Sequence, residues 1–404
     1  MNILIITQVY FPDTASVSQH LTDLAERLVF RGHSVEVISS RFGYDTDDVY
    51  AKKYLQNGVS ISRVRNFNFK KKYFLFRALN FLSFNVALLG NLLIGKRSLD
   101  LVIGTTVPPF SALIGLAFAK IQRATFCFWV MDLQPELAIA SGLIKEKSIT
   151  AKFFNILGDF IIRKSDKLIS LDRFMTGYLI NRGALSNNIS EIPVWPVSEG
   201  FYDGARSQNP FRIQNRYDDK LVIMFSGNHA HIHPLGTLLQ AAMKLKDDQR
   251  FLFSFVGGGV RKEEVTSFRL RHQLSNIVQH EFQPRSSFHI SIAASDMQVV
   301  VLGDGQVGFT HPNKVYGAMF LGKPILYIGP RSSHVTDILG ELQNNVMVRH
   351  DDVDELVSQL LNFAELSEDE KSIVGQKNRE YATVKFSPDI LLDKMVIALE
   401  NNQL

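Results

Sequence analysis

The chain has 404 residues, of which 46% are apolar and 21% charged, and its formal net charge is +4. This composition is ordinary for a soluble globular protein, and the length predicts roughly two domains, each with its own core. Nucleic acid is not expected as a partner, because neither a recognition motif nor a broad basic surface accompanies the cluster of cations at 70–97. The single cysteine, Cys127, excludes an intrachain disulfide; its apolar neighbours TFCFWVM predict a buried packing residue rather than a reactive thiol.

Predicted strands alternate with predicted helices along the chain, which favours parallel sheets and an α/β fold. The predicted strands are 2–7, 34–39, 101–104, 125–131, 167–171, 221–226, 251–256, 277–281, 297–302 and 324–328. The polar, turn-rich segment between Trp195 and Lys220 separates two doubly wound, Rossmann-like halves. The amino end predicts a strand rather than a cleavable signal sequence, which together with the lone cysteine favours a cytoplasmic location.

The loop after the first strand is expected to face ligands, because ligands of doubly wound sheets bind at the carboxyl ends of the strands. It runs from Gln8 to Ser18 and contains Thr14, Ser16 and Ser18 at the start of a predicted helix. Hydroxyl side chains at such a position can bind a hydroxyl or phosphate oxygen. The alternative is that Ser16 or Ser18 is simply the N-cap of the helix.

A basic and apolar stretch at 70–97 has two interpretations. Its apolar part is near the lower length limit for a membrane span and is interrupted by asparagines and a serine, so we exclude a span. It is either an amphipathic helix at the surface of an anionic bilayer or a helix whose apolar face packs on the first sheet, and both can hold for different faces. The cations that bracket it are Lys70, Lys71, Lys72, Arg77, Lys96 and Arg97.

Asp132 directly follows the predicted strand TFCFWVM, and an acidic residue at such a point faces a ligand cleft more often than chance. It is a candidate to orient or deprotonate a reacting hydroxyl. The alternative is an Asx turn, with Pro135 starting the next helix. Glu136 is predicted to be a first-turn charge that complements the dipole of that helix.

Three histidines occupy alternate positions after the predicted strand 221–226. They are His229, His231 and His233. Alternate spacing would suit a metal site on a strand, but Pro234 and the preceding glycine turn predict a loop, and no carboxylate cluster accompanies the histidines. We therefore expect no metal there, and expect Gly227 and Asn228, together with His229, to donate hydrogen bonds to an anion.

The stretch from Gly303 to Pro330, GDGQVGFTHPNKVYGAMFLGKPILYIGP, predicts a loop, a helix and a buried strand in succession. Glycines let the loop backbone approach a ligand closely, and Pro312 is well placed to start the helix, whose first turn holds Lys314. A helix start of this kind favours negative charge, so a phosphate or diphosphate is the expected ligand. The helix is predicted to end at Gly322.

In this order, these segments resemble the family 4 retaining glycosyltransferases, which have the GT-B fold. The resemblance covers nearly the whole chain: NILIITQVYFPDTASVSQHLTDLAERLVFRGHSVEVIS, DLQPELAIASGL, SGNHAHIHPLGTLLQAA, FVGGG and the helix-Gly-Lys-Pro-strand element. It implies two Rossmann-like doubly wound domains that face each other across a cleft. The expected limits are 1–197 for an acceptor-binding domain, 198–384 for a nucleotide-sugar-binding domain and 385–404 for a helix that crosses back to the first domain.

The resemblance implies transfer of a sugar, with retained configuration, from a nucleotide-diphosphate sugar to a polysaccharide or polyprenyl-linked glycan. The protein is expected at the inner face of the cytoplasmic membrane, with 70–97 in peripheral contact with anionic lipid. In this class hydrogen-bond donors steady the departing diphosphate, in place of the close carboxylate pair of glycoside hydrolases. Helix dipoles and Lys314 can replace a divalent ion, so neither a metal nor another cofactor is expected.

The resemblance also implies roles for individual residues. Asp132 and Lys314 are the expected catalytic residues. The expected acceptor contacts are Thr14, Ser16, Ser18 and Asp132. The expected donor contacts are Gly227, Asn228, His229, Gly257, Gly258, Phe282, Gly308, Phe309, Thr310, His311, Asn313, Lys314, Tyr316 and Gly317. Arg261 and Lys262 are lesser candidates for the diphosphate, with a solvated surface role as the alternative.

The chain departs from the family at three places. It has no glycine pair in the loop before Ser18, and no arginine and lysine in the segment that leads from Gly227 into the next helix. The family's paired glutamates are also missing, since the second would fall at Gly317 and the first near Phe309 or Thr310. The candidates to bind the ribose instead are Tyr316, Asn313 and His311.

Two other functions stay open. One is a nucleotide-sugar epimerase, which shares the twin Rossmann layout but needs acid and base carboxylates at the sugar, so the missing glutamates count against it. The other is a catalytically silent partner of another glycosyltransferase, which the missing glutamates favour. A dehydrogenase is disfavoured, because no G-x-G-x-x-G follows the first strand.

Overall fold

The computed structural model describes residues 1–13, 15–43, 46–69, 74–196, 200–202 and 204–401, excluding the side chains of residues 74, 75 and 285. Thr14, Lys70, Lys71 and Lys72, which the sequence analysis singled out, therefore lie outside the described residues. The strands are β1 Asn2–Ile6, β2 Ser34–Ser40, β3 Lys53–Gln56, β4 Val59–Val64, β5 Leu101–Thr105, β6 Thr125–Trp129, β7 Lys167–Ser170, β8 Ile189–Glu191, β9 Leu221–Ser226, β10 Phe251–Val256, β11 Ile277–His280, β12 Met297–Val301, β13 Ile325–Ile328 and β14 Val346–Val348. The α-helices are α1 Ser16–Phe30, α2 Phe74–Ile94, α3 Ser111–Gln122, α4 Glu136–Ala140, α5 Ile149–Lys164, α6 Arg173–Asn181, α7 Pro210–Gln214, α8 Gly236–Lys244, α9 Lys262–Arg271, α10 Arg285–Ala293, α11 Lys314–Phe320, α12 His334–Leu339, α13 Val353–Glu365, α14 Glu368–Phe386 and α15 Pro388–Glu400.

The chain forms two compact units that do not follow chain order strictly. The first unit consists of Met1–Val194, Gly308–His311 and Pro388–Leu404, and the second of Trp195–Val307 and Pro312–Ser387. The sequence predicts one uninterrupted domain over 198–384. The structure differs at Gly308–His311, because these four residues pack with the first unit.

The first unit is built on a mixed sheet with the strand order β3-β4-β2-β1-β5-β6-β7-β8. All neighbouring strands are parallel except β3, which pairs with β4 in the antiparallel sense. The central strand β1 pairs with β2 and β5, with Ile3 opposite Val35 and Leu101. Leu4, Ile5 and the other central apolar residues are buried because the central strands of such a sheet are covered on both faces.

The β3–β4 hairpin turns at Asn57 and Gly58, which have φ angles of 46° and 83°. Positive φ at both turn residues matches the tight two-residue turns that suit the twist of antiparallel strands. The hairpin adds an antiparallel edge to a sheet that is otherwise parallel, and it places Lys53 opposite Ser62.

Helix α2 packs one face in the first unit and exposes the other. The segment Phe76–Ile94 is long and apolar enough to cross a bilayer, judged by length and composition alone. Phe84 and Leu88 are nevertheless fully buried, so the predicted packing on the first sheet holds for this inner face. Large apolar side chains on the opposite face are exposed, namely Leu82, Val86, Leu89, Leu93 and Ile94.

The carboxyl-terminal helix α15 belongs to the first unit, where it packs against α1. The guanidinium of Arg27 pairs with the carboxylates of Asp389 and, at 3.3 Å, Asp393. The ammonium of Lys167 donates to three backbone carbonyls at the end of α15, including that of Leu399 at 2.7 Å. A cation near the last carbonyls of a helix complements its dipole, so these contacts hold both ends of α15.

The second unit is built on a fully parallel sheet with the order β11-β10-β9-β12-β13-β14. Its central strands are apolar without alternation, as expected when helices cover both faces of a sheet. Phe225 and Phe253 belong to the core between the sheet and α8 and α13. The carboxyl ends of β9, β10 and β12 lie at one edge, where the glycine turns and the loop leading to α11 are found.

Candidate functional site

Two glycine turns that follow neighbouring strands pack directly against each other in the second unit. Gly227 follows β9 and Gly257 follows β10, with φ angles of 118° and 124°. A Cβ atom on Gly257 would lie 2.2 Å from the carbonyl oxygen of Gly227, and one on Gly259 would lie 2.4 Å from Oδ1 of Asn228. Side chains therefore do not fit, and bare backbone forms this part of the sheet edge.

The side chain of Lys314 lies beneath the first of these turns. A Cβ atom on Gly227 would be 2.9 Å from Cε of Lys314. The ammonium lies 3.7 Å from the centroid of the Phe225 ring, is buried, and has no hydrogen-bond partner among the described residues. Burial lowers the pKa of Lys314 to about 7. A buried amine with no partner is costly to charge, and an anion placed beside it would supply the missing interaction.

His229 lies beside Lys314 with its ring between the aromatic rings of β9 and β10. The ring centroids are 5.2 Å from Phe225 and 6.3 Å from Phe255. Both ring nitrogens are buried and have no hydrogen-bond partner in the part of the chain that the structure describes. Burial, reinforced by the charge of Lys314, lowers the pKa of His229 to about 4. The imidazole is therefore neutral at pH 7 and holds one N–H that can donate to an anion.

Phe282 provides an accessible aromatic surface next to the glycine turns. It follows β11 and is 60% exposed. A Cβ atom on Gly258 would lie 3.1 Å from Cε2 of Phe282, so the ring stands against the second glycine turn. An exposed aromatic ring beside bare backbone can stack with a flat heterocycle.

Two other cations near these turns, Arg261 and Lys262, are already engaged in contacts with other residues. Arg261 donates to the carbonyl of His231 and pairs with Glu264 at 2.5 Å. Lys262 pairs with Glu281. These contacts match the surface role that the sequence analysis kept as the alternative for Arg261 and Lys262.

The side chains of the three histidines lie in different environments. His231 is exposed, whereas Nδ1 of His233 lies 3.0 Å from the carbonyl oxygen of Val301, and the ring of His229 lies tilted between two phenylalanine rings. Burial lowers the pKa of His233 to about 3. His233 therefore supports the backbone at the end of β12 rather than facing a ligand with His229.

The loop Gly308–His311 joins the carboxyl ends of β6 and β7 in the first unit. The N–H of Leu133 donates to the carbonyl of Phe309 at 3.1 Å. A ring nitrogen of His311, Nδ1, lies 2.7 Å from Oδ2 of Asp172, and both side chains are buried. Gly308 has φ of 88°, and a Cβ atom there would lie 3.0 Å from the carbonyl oxygen of Phe174. The expected donor contacts Gly308, Phe309, Thr310 and His311 thus lie in the first unit.

Asp132 is partly buried beyond the end of β6. Its carboxylate accepts no hydrogen bond within the described residues, so the Asx turn considered as the alternative is not formed. Burial raises the pKa of Asp132 to about 6. The neighbouring Glu136 begins α4, as predicted, and is also bound by Arg182 at 2.5 Å and by the hydroxyl of Tyr178.

The start of α1 differs from the predicted cap. The N-cap is Ala15, and no side chain caps the helix, so neither Ser16 nor Ser18 is the N-cap. Ser16 and Ser18 are the first and third residues of α1 instead. The hydroxyl of Ser18 is buried without a hydrogen-bond partner within the described residues, which leaves it able to bind a polar group.

Among the predicted ribose contacts, Tyr316 is packed in the interior of the second unit. It is 2% exposed, and its ring stands edge-on against Phe386 of α14 at 4.8 Å between centroids. Asn313 precedes α11 as its N-cap residue. A Cβ atom on Gly317 would meet no atom within 4 Å, so open space lies where the family has its second glutamate.

Asp172, the partner of His311, is a site residue that was not predicted from the sequence. Asp172 follows the buried strand β7 just as Asp132 follows β6, so the signal that drew attention to Asp132 was present here too. Its Oδ1 accepts the N–H of Met175 at 2.8 Å and caps α6. One carboxylate therefore fixes both the start of a helix and the orientation of His311.

Comparison with known proteins gives two glycosyltransferases as relatives, although no family profile matches the chain. The probable glycosyltransferase WbjE of Pseudomonas aeruginosa is 25% identical over 245 residues, and the match spans 60% of each chain. The putative colanic acid biosynthesis glycosyl transferase WcaI of Escherichia coli is 22% identical over 339 residues, which span 80% of this chain and 82% of that protein.

Solved structures share the fold over almost the entire chain. Sucrose-phosphate synthase from Thermosynechococcus elongatus has a TM-score of 0.75 at 12% identity, with 98% of both chains covered. HepE of Anabaena, solved with UDP and glucose, has a TM-score of 0.71 at 13% identity, with 99% of both chains covered. WaaG, a glycosyltransferase involved in lipopolysaccharide biosynthesis, has a TM-score of 0.71 at 12% identity, with 99% of this chain and 100% of WaaG covered. The predicted resemblance to family 4 glycosyltransferases is thereby confirmed: the chain has their GT-B fold of two Rossmann-like domains, and glycosyltransferases are its relatives.

Proposed function

We propose that the protein is a retaining glycosyltransferase that binds a nucleotide-diphosphate sugar at the glycine turns of the second unit. The observation that carries the proposal is the buried ammonium of Lys314, which lies beneath Gly227 without a hydrogen-bond partner within the described residues. A diphosphate is an anion with enough acceptor oxygens to occupy Lys314, His229 and the backbone of the turns at once.

The remaining parts of a nucleotide have matching surroundings nearby. Phe282 supplies a stacking surface for the base, and the open space at Gly317 leaves room for the ribose. HepE, which shares the fold, was solved with UDP and with UDP-glucose, and this supports a nucleoside diphosphate as the ligand class.

The chemistry proposed for the site is stabilisation of a leaving diphosphate. Charge develops on its oxygens as the bond to the sugar breaks, and preorganised donors placed there lower the barrier. Lys314 supplies the positive charge and His229 a neutral N–H donor. Neither a metal nor another cofactor is required by this scheme, because the lysine and the backbone amides carry the electrostatic role.

The first unit is proposed to bind the acceptor, a polysaccharide or polyprenyl-linked glycan. Asp132 has a carboxylate with a raised pKa and no hydrogen bond within the described residues, as suits a group that orients or deprotonates an acceptor hydroxyl. Ser18 contributes a buried hydroxyl at the start of α1. The relative WcaI is named for colanic acid biosynthesis, which supports a glycan acceptor.

The proposed location is the inner face of the cytoplasmic membrane, with the segment 70–97 in peripheral contact with anionic lipid. The exposed apolar face of α2 supports this placement. Replacing Lys70, Lys71 and Lys72 by Glu should release the protein from vesicles of phosphatidylglycerol. The same change at the exposed residues Lys246, Lys377 and Lys385 is the matched control, and equal release by both sets would contradict the placement.

The direct test of the proposed function is calorimetric titration with UDP, GDP, ADP and their common sugar conjugates. Tight binding of one diphosphate, lost in Lys314→Met, is the expected result. Binding followed by epimerisation of the sugar without any acceptor would establish the epimerase instead. If no nucleoside diphosphate binds, the protein is better explained as a catalytically silent partner of another glycosyltransferase.

A further inference from the structure

Helix α5 carries a second exposed apolar stripe, which lies outside the segment 70–97. Four large apolar side chains at helical spacing are between about half and nine-tenths exposed. They are Ile149 at 87%, Phe153 at 54%, Ile156 at 67% and Phe160 at 47%. Their spacing of four, three and four residues puts all four on one side of the helix. A continuous exposed stripe of this kind marks an interaction surface, unlike single exposed apolar residues.

The charged side chains of α5 are also distributed unevenly between its faces. Lys152, Arg163 and Lys164 are exposed along the same side of the helix, so cations border the apolar stripe. The one carboxylate of α5, Asp159, is half-buried and paired with Arg182 and, at 3.9 Å, with Arg163. The solvent face of α5, all of whose residues are described, therefore combines apolar and basic side chains with no exposed carboxylate.

The inner side of α5 fixes the helix in the first unit. The N-cap Ser148 accepts the N–H of Ala151 at 3.1 Å, and Ile161 and Ile162 are buried. The ring of Phe154 packs against that of Phe110, just before α3, with 4.9 Å between centroids. The exposed stripe is thus presented by a helix whose opposite face is anchored, rather than by a loosely attached segment.

Helices α2 and α5 belong to the same layer of the first unit. Helix α3 contacts both of them. The crossovers β4–α2–β5, β5–α3–β6 and β6–α5–β7 all run in the same direction across the sheet, and right-handed crossovers of one direction place their helices on one face. The two exposed apolar stripes therefore lie on the same side of the sheet, on either side of α3.

We propose that α5 is a second lipid-contacting helix, and that its stripe and the exposed face of α2 together dock the first unit on an anionic bilayer. Exposed apolar side chains enter the boundary between headgroups and acyl chains, while the bordering lysines and arginine meet anionic headgroups. The inference extends the membrane contact proposed above for 70–97, but it rests on separate residues.

The charge pattern favours a bilayer over a second copy of this chain. Two copies that met through α5 would bring Lys152, Arg163 and Lys164 of one copy against the same cations of the other, and like charges at an interface weaken association. An anionic membrane surface attracts each of these cations instead. A bilayer also accommodates a convex helix face, which needs no complementary groove.

The test compares two sets of apolar-to-glutamine changes in the full chain. Ile149→Gln, Ile156→Gln and Phe160→Gln remove the α5 stripe. Leu270→Gln, Ile373→Gln and Val384→Gln are the matched control, because these side chains are 63%, 50% and 67% exposed on helices of the second unit. Partitioning is measured by sedimentation with vesicles of equal parts phosphatidylcholine and phosphatidylglycerol, and with vesicles of phosphatidylcholine alone.

We expect the α5 set to lower partitioning onto the mixed vesicles by at least about tenfold, because three apolar side chains that would be buried in the bilayer are replaced by polar ones. The control set should leave partitioning unchanged. Lys152→Gln with Lys164→Gln should weaken binding to the mixed vesicles and flatten its salt dependence. Unchanged partitioning of the α5 set would overturn the proposal. So would a dimer of the parent chain that the α5 set dissociates, since the stripe would then bind a second copy.

A fluorescent reporter gives an independent measure of contact. Trp129 and Trp195 are 1% and 2% exposed, so their emission is insensitive to a surface event. Phe153→Trp should shift its emission to shorter wavelength on the mixed vesicles, and brominated acyl chains should quench it. Emission that stays unchanged would contradict insertion of the stripe. Nucleotide titration of the same variants separates this outcome from the proposed function, because α5 lies outside the second unit.

Discussion

The ammonium of Lys314 lies 3.7 Å from the centroid of the Phe225 ring and has no hydrogen-bond partner within the described residues. The ring face attracts a cation, but this attraction does not replace the lost hydration, and the pKa of Lys314 falls to about 7. A side chain kept in such surroundings destabilises the free protein and is ready for an anion. Lys314 is therefore the residue at which function and stability oppose each other.

Replacing Lys314 by Met should abolish nucleotide binding and stabilise the protein. In the native chain the pKa of Lys314 lies below that of the unfolded chain, so charging the amine near pH 7 opposes folding. We expect Lys314→Met to raise the free energy of unfolding at pH 7 by on the order of 1 to 4 kcal/mol, as for other buried unpaired charges.

Urea denaturation at two pH values checks this expectation. The unfolded chain binds more protons than the native chain between about pH 7 and the ordinary pKa of lysine, so native stability rises with pH across that window. The advantage of Lys314→Met should accordingly shrink toward pH 10. Lys323→Met is the contrasting control. Burial also lowers the pKa of Lys323, to about 8, but its ammonium donates to the carbonyls of Ala293 and Ser295, so its loss should destabilise.

Binding of a nucleoside diphosphate should take up protons from solution. The anion raises the pKa of Lys314 above its free value of about 7, so an amine that is mostly neutral at pH 8 becomes charged in the complex. We expect uptake of nearly one proton at pH 8 and an affinity that weakens as pH rises above about 7. Calorimetry in buffers of different ionisation enthalpy measures the uptake. No dependence on the buffer would show that Lys314 does not contact the anion.

Gly227→Ala should impair the site more than its small size suggests. The added Cβ would lie 2.9 Å from Cε of Lys314, and φ at this position is 118°. Both the turn and the lysine must then shift, so we expect a loss of about 1 to 3 kcal/mol in stability and at least about tenfold in nucleotide affinity. Gly236→Ala at the start of α8, where a Cβ meets nothing within 4 Å, is the control and should change neither. Equal behaviour of the two variants would argue against the described turn.

Most of the fold could be predicted because parallel strands carry a strong signal. All ten predicted strands are present, since apolar runs such as 221–226 are buried on both faces. The strands that were missed are β3, β4, β8 and β14, which are short or lie toward the edges of the sheets. The β3–β4 hairpin had a recognisable signal in Asn57-Gly58, whereas β8 and β14 have three residues each, too few for a pattern.

The site was predictable where backbone chemistry dictates the residue. Gly227, Gly257 and Lys314 were identified from turns and a helix start, and the structure brings these three together. Asp172, the partner of His311, was not identified, because the two residues are distant in sequence and only the fold brings them together. The burial of Tyr316 depends on contact with α14, which comes later in the chain. A local sequence pattern could therefore not reveal this burial.

Gly317→Glu should strengthen nucleotide binding if the ribose lies over α11. A Cβ atom at this position meets nothing within 4 Å, so a longer side chain is accommodated without displacing its neighbours. A carboxylate there can accept hydrogen bonds from both hydroxyls of a ribose, and we expect an affinity gain of roughly tenfold.

The controls for this change separate binding from helix propensity. Gly317→Ala removes the flexibility of a helical glycine and should raise stability by about 0.5 to 1 kcal/mol without changing affinity. Gly177→Ala in α6, equally free of neighbours, should give the same stability gain. A loss of affinity in Gly317→Glu, measured with the diphosphate that binds best, would place the ribose elsewhere.

Asp132 should control the acid limb of the pH dependence of transfer. A group that orients or deprotonates a hydroxyl acts as the carboxylate, and burial raises the pKa of Asp132 to about 6. The rate should therefore fall about tenfold per pH unit below pH 6 and level off above it. Asp132→Asn keeps the size of the side chain and should lower turnover by about 10² to 10⁴ while leaving diphosphate affinity intact, because Asp132 belongs to the first unit.

The same variant distinguishes catalysis from folding. Because the native pKa of Asp132 is raised, its ionisation above pH 6 opposes folding, and Asp132→Asn should stabilise the protein at pH 8 but not at pH 4. If Asp132 acts in the reaction, Asp132→Asn will be more stable at pH 8 and will bind the diphosphate normally. It will also have lost turnover and the inflection near pH 6 in the pH dependence of the transfer rate. If the variant keeps the inflection, another group is responsible for it. Asp172, which orients His311, would then be the next residue to replace.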